Sequence, residues 1–293
     1  MPDAVLAASY AHCRKIARSA ARNFYYGFVL LPAPKRDALC ALYAFMRGID
    51  DISDESGETK EKQSRLEQQR SELDRVLSGG ATNDAMWLAL RHTVAQFRIP
   101  PRYLHDLITG AQMDLSVSVY ETFDDLRTYC YHVAGAVGLC CLCVFGFENP
   151  RAPEFAENMG IAFQLTNILR DVREDLAMGR VYLPREEFVR FNVSIEDWHN
   201  NSSSKPIVEF LRFQTDRARQ FYSSGWKLLS LVNADSRTAL WAMARIYSEI
   251  LSKIEKAGPQ AVSGKRVRLS AAEKSWILLR AKLGWIDTWP AKA

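Results

Sequence analysis

Apolar residues recur every three or four positions along almost the whole chain, and this spacing limits the possible folds more than any other feature. A half-buried strand would alternate apolar and polar residues, and no segment does so over more than a few positions. Of the 293 residues, 48% are hydrophobic and 25% are charged, which is enough apolar material for a large buried core. The sequence therefore predicts an all-α protein.

Short turns rich in proline, glycine and asparagine separate the predicted helices. Neither a flexible linker nor a change in composition divides the chain, so we expect one domain over residues 1–293. The longest irregular stretch, about 178–205, directly follows an acidic motif and is expected to form part of an active-site rim. The predicted helices cover about residues 4–21, 33–53, 58–78, 83–97, 101–118, 123–147, 152–177, 205–231, 235–256 and 270–286.

The charge balance argues against a nucleic-acid partner. The chain carries 38 basic and 34 acidic residues, and no basic cluster is interleaved with aromatic residues. Its six cysteines do not have the spacing of a disulfide framework, and residues 1–30 lack the features of a secretory signal. We therefore expect a cytoplasmic protein, and we predict that it is a monomer.

Two apolar segments raise the question of a membrane. Residues 133–147 carry no charge, but a spanning helix needs roughly 20 apolar residues. We therefore expect a buried core helix, in which Gly135 and Gly138 leave room for close packing or for a ligand chain. For the apolar C-terminal segment, core packing is favoured and peripheral contact with a membrane surface is the alternative. That segment includes Trp276, Leu279, Leu283, Trp285, Ile286 and Trp289.

Two acidic motifs stand out from the rest of the sequence. Asp50 and Asp54 are four residues apart, and so are Asp171 and Asp175. On a helix this spacing puts both carboxylates on one face, where they can bind hard cations that prefer oxygen ligands. For a single pair of this kind, an ordinary solvated helix face is the simpler interpretation. Two such pairs favour a metal site.

Each acidic pair continues a longer polar stripe on an otherwise apolar helix. Burying such stripes without partners would be costly, so they are expected to face water or a lined cavity. If they face each other, their carboxylates repel unless Mg²⁺ lies between them and bridges to diphosphate oxygens. Arg47, Arg170 and Arg180 are then candidates for diphosphate contact, with ordinary surface charges as the alternative. The stripes are Tyr43, Arg47, Asp50 and Asp54, and Gln164, Asn167, Asp171 and Asp175.

The sequence contains none of the short motifs of several other enzyme classes. We find no Gly-x-Gly-x-x-Gly, P-loop, His-Glu-x-x-His or Gly-x-Ser-x-Gly. Cys140 and Cys143 lack further ligands at zinc spacing, so buried packing is expected for them. The two acidic motifs thus remain the strongest functional signal.

At these motifs the sequence resembles the squalene/phytoene synthase family, and most closely the bacterial presqualene diphosphate synthases. The resemblance covers about residues 8–285 and implies the class I isoprenoid synthase fold, an all-α domain around a central cavity. Its most specific segments are residues 23–32, 41–47 with 50–54, 129–135, 164–175 and 179–184.

The resemblance also implies roles for individual residues. Phe24 and Tyr129 correspond to positions beside the reacting carbons, and Tyr247 and Arg266 to a further diphosphate-binding pair. Mg²⁺ is implied at Asp50, Asp54, Asp171 and Asp175, and Asn167 is predicted as a further metal ligand. Residues implied to contact diphosphate or to support the ligands are Tyr43, Arg47, Gln164, Asn167 and Arg170.

The predicted reaction is head-to-head condensation of two molecules of farnesyl diphosphate to presqualene diphosphate, with Tyr129 aiding the proton transfer. NADPH would be a further cofactor if the reaction proceeds to squalene. Phytoene or dehydrosqualene synthase is the alternative within the family, because one sequence does not reveal pocket depth. A family relative that has lost catalysis and serves in assembly is the alternative from another class.

Overall fold

The computed structural model describes residues 3–199 and 204–287, and helices dominate both ranges. There, extended backbone pairs only at two isolated bridges, Val119 with Val181 and Phe147 with Val232. The predicted all-α class is confirmed. The helices are α1 Asp3–Ala20, α2 Arg22–Phe28, α3 Ala33–Asp54, α4 Thr59–Leu77, α5 Ala85–Phe97, α6 Pro101–Ser116, α7 Phe123–Cys130, α8 Ala136–Phe145, α9 Ala152–Ala177, α10 Arg185–Phe191, α11 Ile195–His199, α12 Lys205–Gly225, α13 Ala234–Ala257, α14 Gln260–Ser263 and α15 Ala271–Lys282.

The long helices begin and end within a few residues of the predicted boundaries, but short ones were missed. α2, α10, α11 and α14 have at most seven residues each. A helix of two turns or fewer shows too few repeats for its periodicity to be recognised. The stretch predicted to be irregular, 178–205, therefore contains α10 and α11.

The uncharged segment belongs to a continuous helical stretch, in which a π-helical turn, Tyr131–Gly135, joins α7 to α8. By length and composition, Phe123–Phe145 is the one stretch within the described ranges that would be apolar enough to cross a membrane. Half of the most apolar part of this stretch is buried inside the protein, and the core helix of a soluble protein can have the same length and composition. The expected core helix accounts for it, since Leu139, Leu142 and Phe145 are at most 5% exposed.

Glycines let α8 lie directly against α9. A Cβ atom on Gly138 would come within 2.4 Å of the carbonyl oxygen of Ala156, and one on Gly160 within 2.2 Å of the carbonyl oxygen of Ala134. Both distances are far below van der Waals contact, so only glycine fits at these positions. The pairing of 134 with 160 and of 138 with 156 shows that the two helices are antiparallel.

The apolar residues near the C-terminus do not follow the favoured interpretation. Ile277 and Ala281 are buried on the inner face of α15. Trp276, Leu279 and Trp285 are about half exposed, at 46–57%. Core packing is therefore wrong for the outward-facing side chains of this segment. Leu283 is likewise 51% exposed and Ile286 40% exposed, while Trp289 lies outside the described residues.

Candidate active site

A cavity of about 260 Å³ runs between α3, α8 and α9, with α2 and α13 completing its wall. On α3 the lining begins at Leu39 and ends at Asp50, eleven residues or about 16 Å along the helix axis. On α9 it spans the same length, from Ala156 to Asn167. The cavity therefore has a polar mouth at the C-terminal ends of α3 and α9 and an apolar interior.

The deep end of the cavity is held in place by a polar network. Phe145 lies there at the end of α8, because the later residues of this antiparallel helix lie farther from the mouth. Its carbonyl oxygen accepts hydrogen bonds from Lys35 Nζ at 2.8 Å and Ser236 Oγ at 3.1 Å. Lys35 Nζ also lies 2.7 Å from Asp235 Oδ1. The floor is thus a fixed surface.

The first acidic motif occupies the last turns of α3. Burial and the neighbouring charge of Asp54 raise the pKa of Asp50 to about 7. Arg47 does not point freely towards a ligand, since its guanidinium lies 2.5 Å from a carboxylate oxygen of Asp51. Tyr43 lies one turn before Arg47 and lines the cavity. The predicted stripe thus lies at the mouth, with Asp51 as an additional member.

The second acidic motif is already associated with positive charge. Arg170 and Arg266 each donate two hydrogen bonds to the carboxylate of Asp171, at 2.6–2.7 Å. Burial and the charge of Asp171 raise the pKa of Asp175 to about 7, the same value as for Asp50. Arg266, which lies 95 residues after Asp171 in the sequence, is thereby brought to the second acidic motif.

Asn167 presents an oxygen that lacks a partner. Its amide Nδ2 donates to Gln164 Oε1 at 3.3 Å, whereas its Oδ1 is buried and accepts no hydrogen bond from the part of the chain that is described. Buried polar atoms are normally satisfied. An orphan oxygen that lines the same cavity as Asp50, whose pKa is raised, fits a divalent cation, which would satisfy the oxygen and favour the charged carboxylate.

Aromatic rings lie where the polar mouth meets the apolar cavity. The ring of Tyr247 stacks on that of Phe163 at 4.6 Å and on that of Phe24 at 5.1 Å. Tyr247 is only 4% exposed, and both Phe24 and Phe163 line the cavity. Phe163 was not singled out from the sequence, because a phenylalanine at helical spacing looks like any other core residue.

A further carboxylate, Asp114 on α6, lies near both acidic motifs and was not predicted from the sequence. Burial raises its pKa, and hydrogen bonds from Tyr129 and Tyr182 partly offset this. Its charge contributes to the raised pKa values of both Asp50 and Asp175. Both motifs therefore lie within range of the charge on Asp114, and we call the space between Asp114 and the two motifs the chamber. Asp114 has no acidic partner at helical spacing, so no sequence pattern marked it.

Backbone pairing joins two loops beside Asp114. Val181 N donates to Ser118 O at 3.1 Å, and Arg185 N donates to Tyr120 O at 2.9 Å. This register brings Arg180 and Tyr182 to Asp114, and the charge of Arg180 also acts on Asp175. The 178–205 stretch thus contributes Arg180 and Tyr182 to the surroundings of Asp114, and its part in an active-site rim stays a prediction.

Tyr129 lies in a group of stacked tyrosines. Its ring is 5.2 Å from that of Tyr182 and 5.3 Å from that of Tyr120, and only 3% of the residue is exposed. Val133, one turn later, lines the apolar cavity. The structure thus places Tyr129 on the Asp114 side of the chamber.

Known proteins resemble this chain over nearly its full length. The sequence profile that describes squalene/phytoene synthases matches residues 17–273. A phytoene synthase of Mycobacterium tuberculosis is 37% identical over 97% of this chain and 93% of its own length. A 15-cis-phytoene synthase of Synechococcus elongatus is 38% identical over 86% of both chains.

Solved structures share the fold. A dehydrosqualene synthase superposes with a TM-score of 0.88 at 32% identity, covering 97% of this chain and 99% of its own. A squalene synthase from Alicyclobacillus acidocaldarius superposes with a TM-score of 0.81 at 28% identity, covering 90% of this chain and 98% of its own. The predicted isoprenoid-synthase fold is confirmed.

The predicted product is corrected by these comparisons. The motifs predict condensation of farnesyl diphosphate to presqualene diphosphate, but relatives of 34–38% identity are named phytoene synthases. That prediction is wrong, and the alternative is the better supported interpretation. The physical reason is that the motifs lie at the polar mouth of the cavity, whereas the length of the prenyl chain depends on the apolar residues that line its interior.

Proposed function

The chain belongs to the squalene/phytoene synthase family, and from this premise we propose that it joins two geranylgeranyl diphosphates head to head to form phytoene. One observation carries the proposal: a mouth with two acidic motifs and several arginines opens into an apolar cavity. Such a site suits a substrate with an anionic head and a long hydrocarbon chain. The names of the most similar relatives support the product.

Mg²⁺ is proposed as the cofactor. The residues that would hold it are those predicted from sequence, and the unpartnered Oδ1 of Asn167 supports the assignment. When bound, Mg²⁺ supplies positive charge that stabilises the leaving diphosphate. The proposed metal ligands are Asp50, Asp54, Asn167, Asp171 and Asp175.

The arginines of the chamber bind the diphosphate in this proposal. Arg170 and Arg266 exchange their bonds to Asp171 for bonds to phosphate oxygens, which a planar guanidinium can contact in pairs. Arg180 and Arg47 add positive charge at the rim, and Tyr43 and Gln164 line the mouth. The positive charge is thus already in place before the substrate arrives.

A carbocation remains when the diphosphate leaves, and side chains of this protein stabilise it. The faces of Phe24, Phe163 and Tyr247 stabilise positive charge electrostatically and keep water away from it. Tyr129 is proposed to assist the loss of the proton that closes the cyclopropane intermediate. The cavity below Asn167 holds the prenyl chain.

Formation of phytoene requires no reductant, so NADPH is not part of this proposal. Cytoplasmic location, monomeric state and a single domain over residues 1–293 stay predictions. Peripheral contact with a membrane also stays a prediction, supported by the exposed apolar face of α15. Dehydrosqualene formation from farnesyl diphosphate is the second candidate, because a dehydrosqualene synthase superposes over nearly the whole chain.

The test is a product analysis with purified protein. Geranylgeranyl or farnesyl diphosphate is supplied with Mg²⁺, with EDTA, and with or without NADPH, and the hydrocarbons are identified by mass spectrometry. We expect phytoene from geranylgeranyl diphosphate, no dependence on NADPH and no product with EDTA. Asp175→Asn serves as the inactive control, with helical circular dichroism to verify folding. Absence of phytoene, or full activity of the control, would refute the proposal, and dehydrosqualene from farnesyl diphosphate alone would support the second candidate.

A further inference from the structure

A carboxylate surrounded by stacked tyrosines is the most unusual feature of the chamber. Tyr182 Oη donates to Asp114 Oδ1 at 3.0 Å, and Tyr129 lies beside both, where burial and the neighbouring Asp114 and Tyr182 raise the pKa of its phenol. The rings of Tyr129 and Tyr182 are 5.2 Å apart and inclined by 24°. The ring of Tyr120 packs against both, at 5.3 Å and 6.0 Å.

Each member of this group comes from a different, separately anchored segment. Asp114 is on α6, and Tyr129 is on α7, whose start is fixed by a capping box between Thr122 and Asp125. Tyr182 is on the loop that pairs with residues 118–121. A contact shared by three anchored segments fixes the positions of the side chains more firmly than one within a single helix.

We propose that Asp114 is a positioning residue that determines which way the hydroxyl of Tyr129 points, by accepting hydrogen bonds from the phenols of both Tyr129 and Tyr182. A phenol has one hydrogen to donate, and here the hydrogen of Tyr182 is committed to Asp114. In the proposed arrangement the hydrogen of Tyr129 is donated within the same group, to Asp114 or to the oxygen of Tyr182, the two neighbours that raise the pKa of Tyr129 together with burial. Only the lone pairs of the Tyr129 oxygen are left for any other partner.

This orientation matters for the proposed function, on which the inference rests. An oxygen that presents lone pairs stabilises nearby positive charge, whereas one that presents its hydrogen opposes it. The role proposed for Tyr129 next to a carbocation therefore requires the orientation that Asp114 imposes. Asp114 acts through Tyr129 and does not itself need to touch the substrate.

The discriminating substitution is Asp114→Asn. An amide has the shape of a carboxylate, but it offers one accepting oxygen and one donating nitrogen. The amide oxygen can accept a hydrogen bond from only one of the two phenols. The second phenol then faces the amide nitrogen and must turn its oxygen towards it. We expect kcat with geranylgeranyl diphosphate to fall about 100-fold, a loss typical of a removed preorganised interaction, while KM stays within about threefold.

The same helix offers a matched control. Asp106 lies two turns before Asp114 on α6 and accepts a hydrogen bond from Tyr131 Oη at 2.8 Å. Asp106→Asn thus alters the same kind of carboxylate–phenol pair outside the candidate chamber. We expect it to leave kcat unchanged while it lowers the melting temperature about as much as Asp114→Asn does.

The kcat values of the two variants distinguish a positioning role for Asp114 from a purely structural one. A fall in kcat for Asp114→Asn alone supports the inference, and activity within threefold of wild type, or an equal fall in both variants, overturns it. If Asp114→Asn does not fold, Asp114→Ala replaces it, because it also removes the accepting carboxylate, and an unchanged kcat and KM would count against the inference. If the wild-type protein makes no head-to-head product, the proposed function fails. Crystal structures then decide, because unmoved Tyr129 and Tyr182 in Asp114→Asn would refute the positioning role.

Discussion

Filling the deep end of the cavity should shift the choice of substrate towards shorter chains. Cys141 lines the cavity on α8, one turn beyond Gly138 and so farther from the mouth. A phenylalanine there would project into open space and not into packed side chains, because the cavity holds about 260 Å³. We therefore expect Cys141→Phe to fold and to exclude the last isoprene unit of a geranylgeranyl chain.

The size of the effect follows from the area that would no longer be buried. Geranylgeranyl is one five-carbon unit longer than farnesyl, and burial of each carbon contributes about 0.8 kcal/mol, or about 4 kcal/mol for the unit. Since about 1.4 kcal/mol corresponds to a factor of ten, the ratio of kcat/KM for the two substrates can change by at most about a thousandfold. Incomplete exclusion makes a change of 10- to 100-fold the practical expectation.

The assay compares kcat/KM for geranylgeranyl and farnesyl diphosphate, with hydrocarbon products identified by mass spectrometry. Cys141→Ala is the matched control, because it removes the thiol without filling the space, and its ratio should equal that of wild type. Phe145→Leu, which lowers the floor, should shift the ratio in the opposite direction. If Cys141→Phe is folded and keeps the wild-type ratio, the chain does not extend along this cavity and the reasoning is refuted.

Four further predictions concern the metal site and the packing. Because Asp50 and Asp175 have pKa values near 7, Mg²⁺ must displace their protons in order to bind. Between pH 7.5 and 6, the Mg²⁺ affinity measured by calorimetry should therefore fall by roughly a factor of ten per pH unit for each proton that is released. The same raised pKa values mean that the metal-free protein loses stability as pH rises through 7, visible as a falling melting temperature. Glu187→Gln breaks a buried ion pair with Arg217, Glu187 being 4% exposed, and should lower the unfolding free energy in urea by about 3 kcal/mol. Gly160→Ala should cost about 1–3 kcal/mol in the same urea assay, because its Cβ would meet the Ala134 carbonyl at 2.2 Å.

The fold was predictable wherever a helix was long enough to repeat its pattern. α3 and α9 carry five or more apolar repeats each, and their predicted ends agree with the structure within a residue or two. α2 has seven residues, and its apolar positions face two sides, so periodicity could not separate it from the loop that follows. Pairing between residues 118–121 and 181–186 depends on two loops meeting in space, which no local pattern records.

Within the candidate site, predictability depended on whether a residue had partners at helical spacing. Asp171 and Asp175 marked each other, and the structure brings them to the chamber with Asp50. Asp114 and Tyr182 come from separate segments and meet only in the folded chain. The pairing of Arg47 with Asp51 also escaped notice, because a third aspartate between the motif's two members looked like part of the same cluster.

The product was mispredicted because its determinants are spread over several helices. Solved structures named dehydrosqualene synthase and squalene synthase superpose on this chain with TM-scores of 0.88 and 0.81, while similar sequences are named phytoene synthases. Proteins with different products thus share one fold, so the fold and its motifs cannot select among them. What can differ is the depth of the cavity, which is lined by residues such as Leu39, Cys141 and Phe145. In the sequence, each of these residues looks like an ordinary core residue. Chain length is therefore a property of how α3, α8 and α9 pack together, and substitutions in that lining are the place to change it.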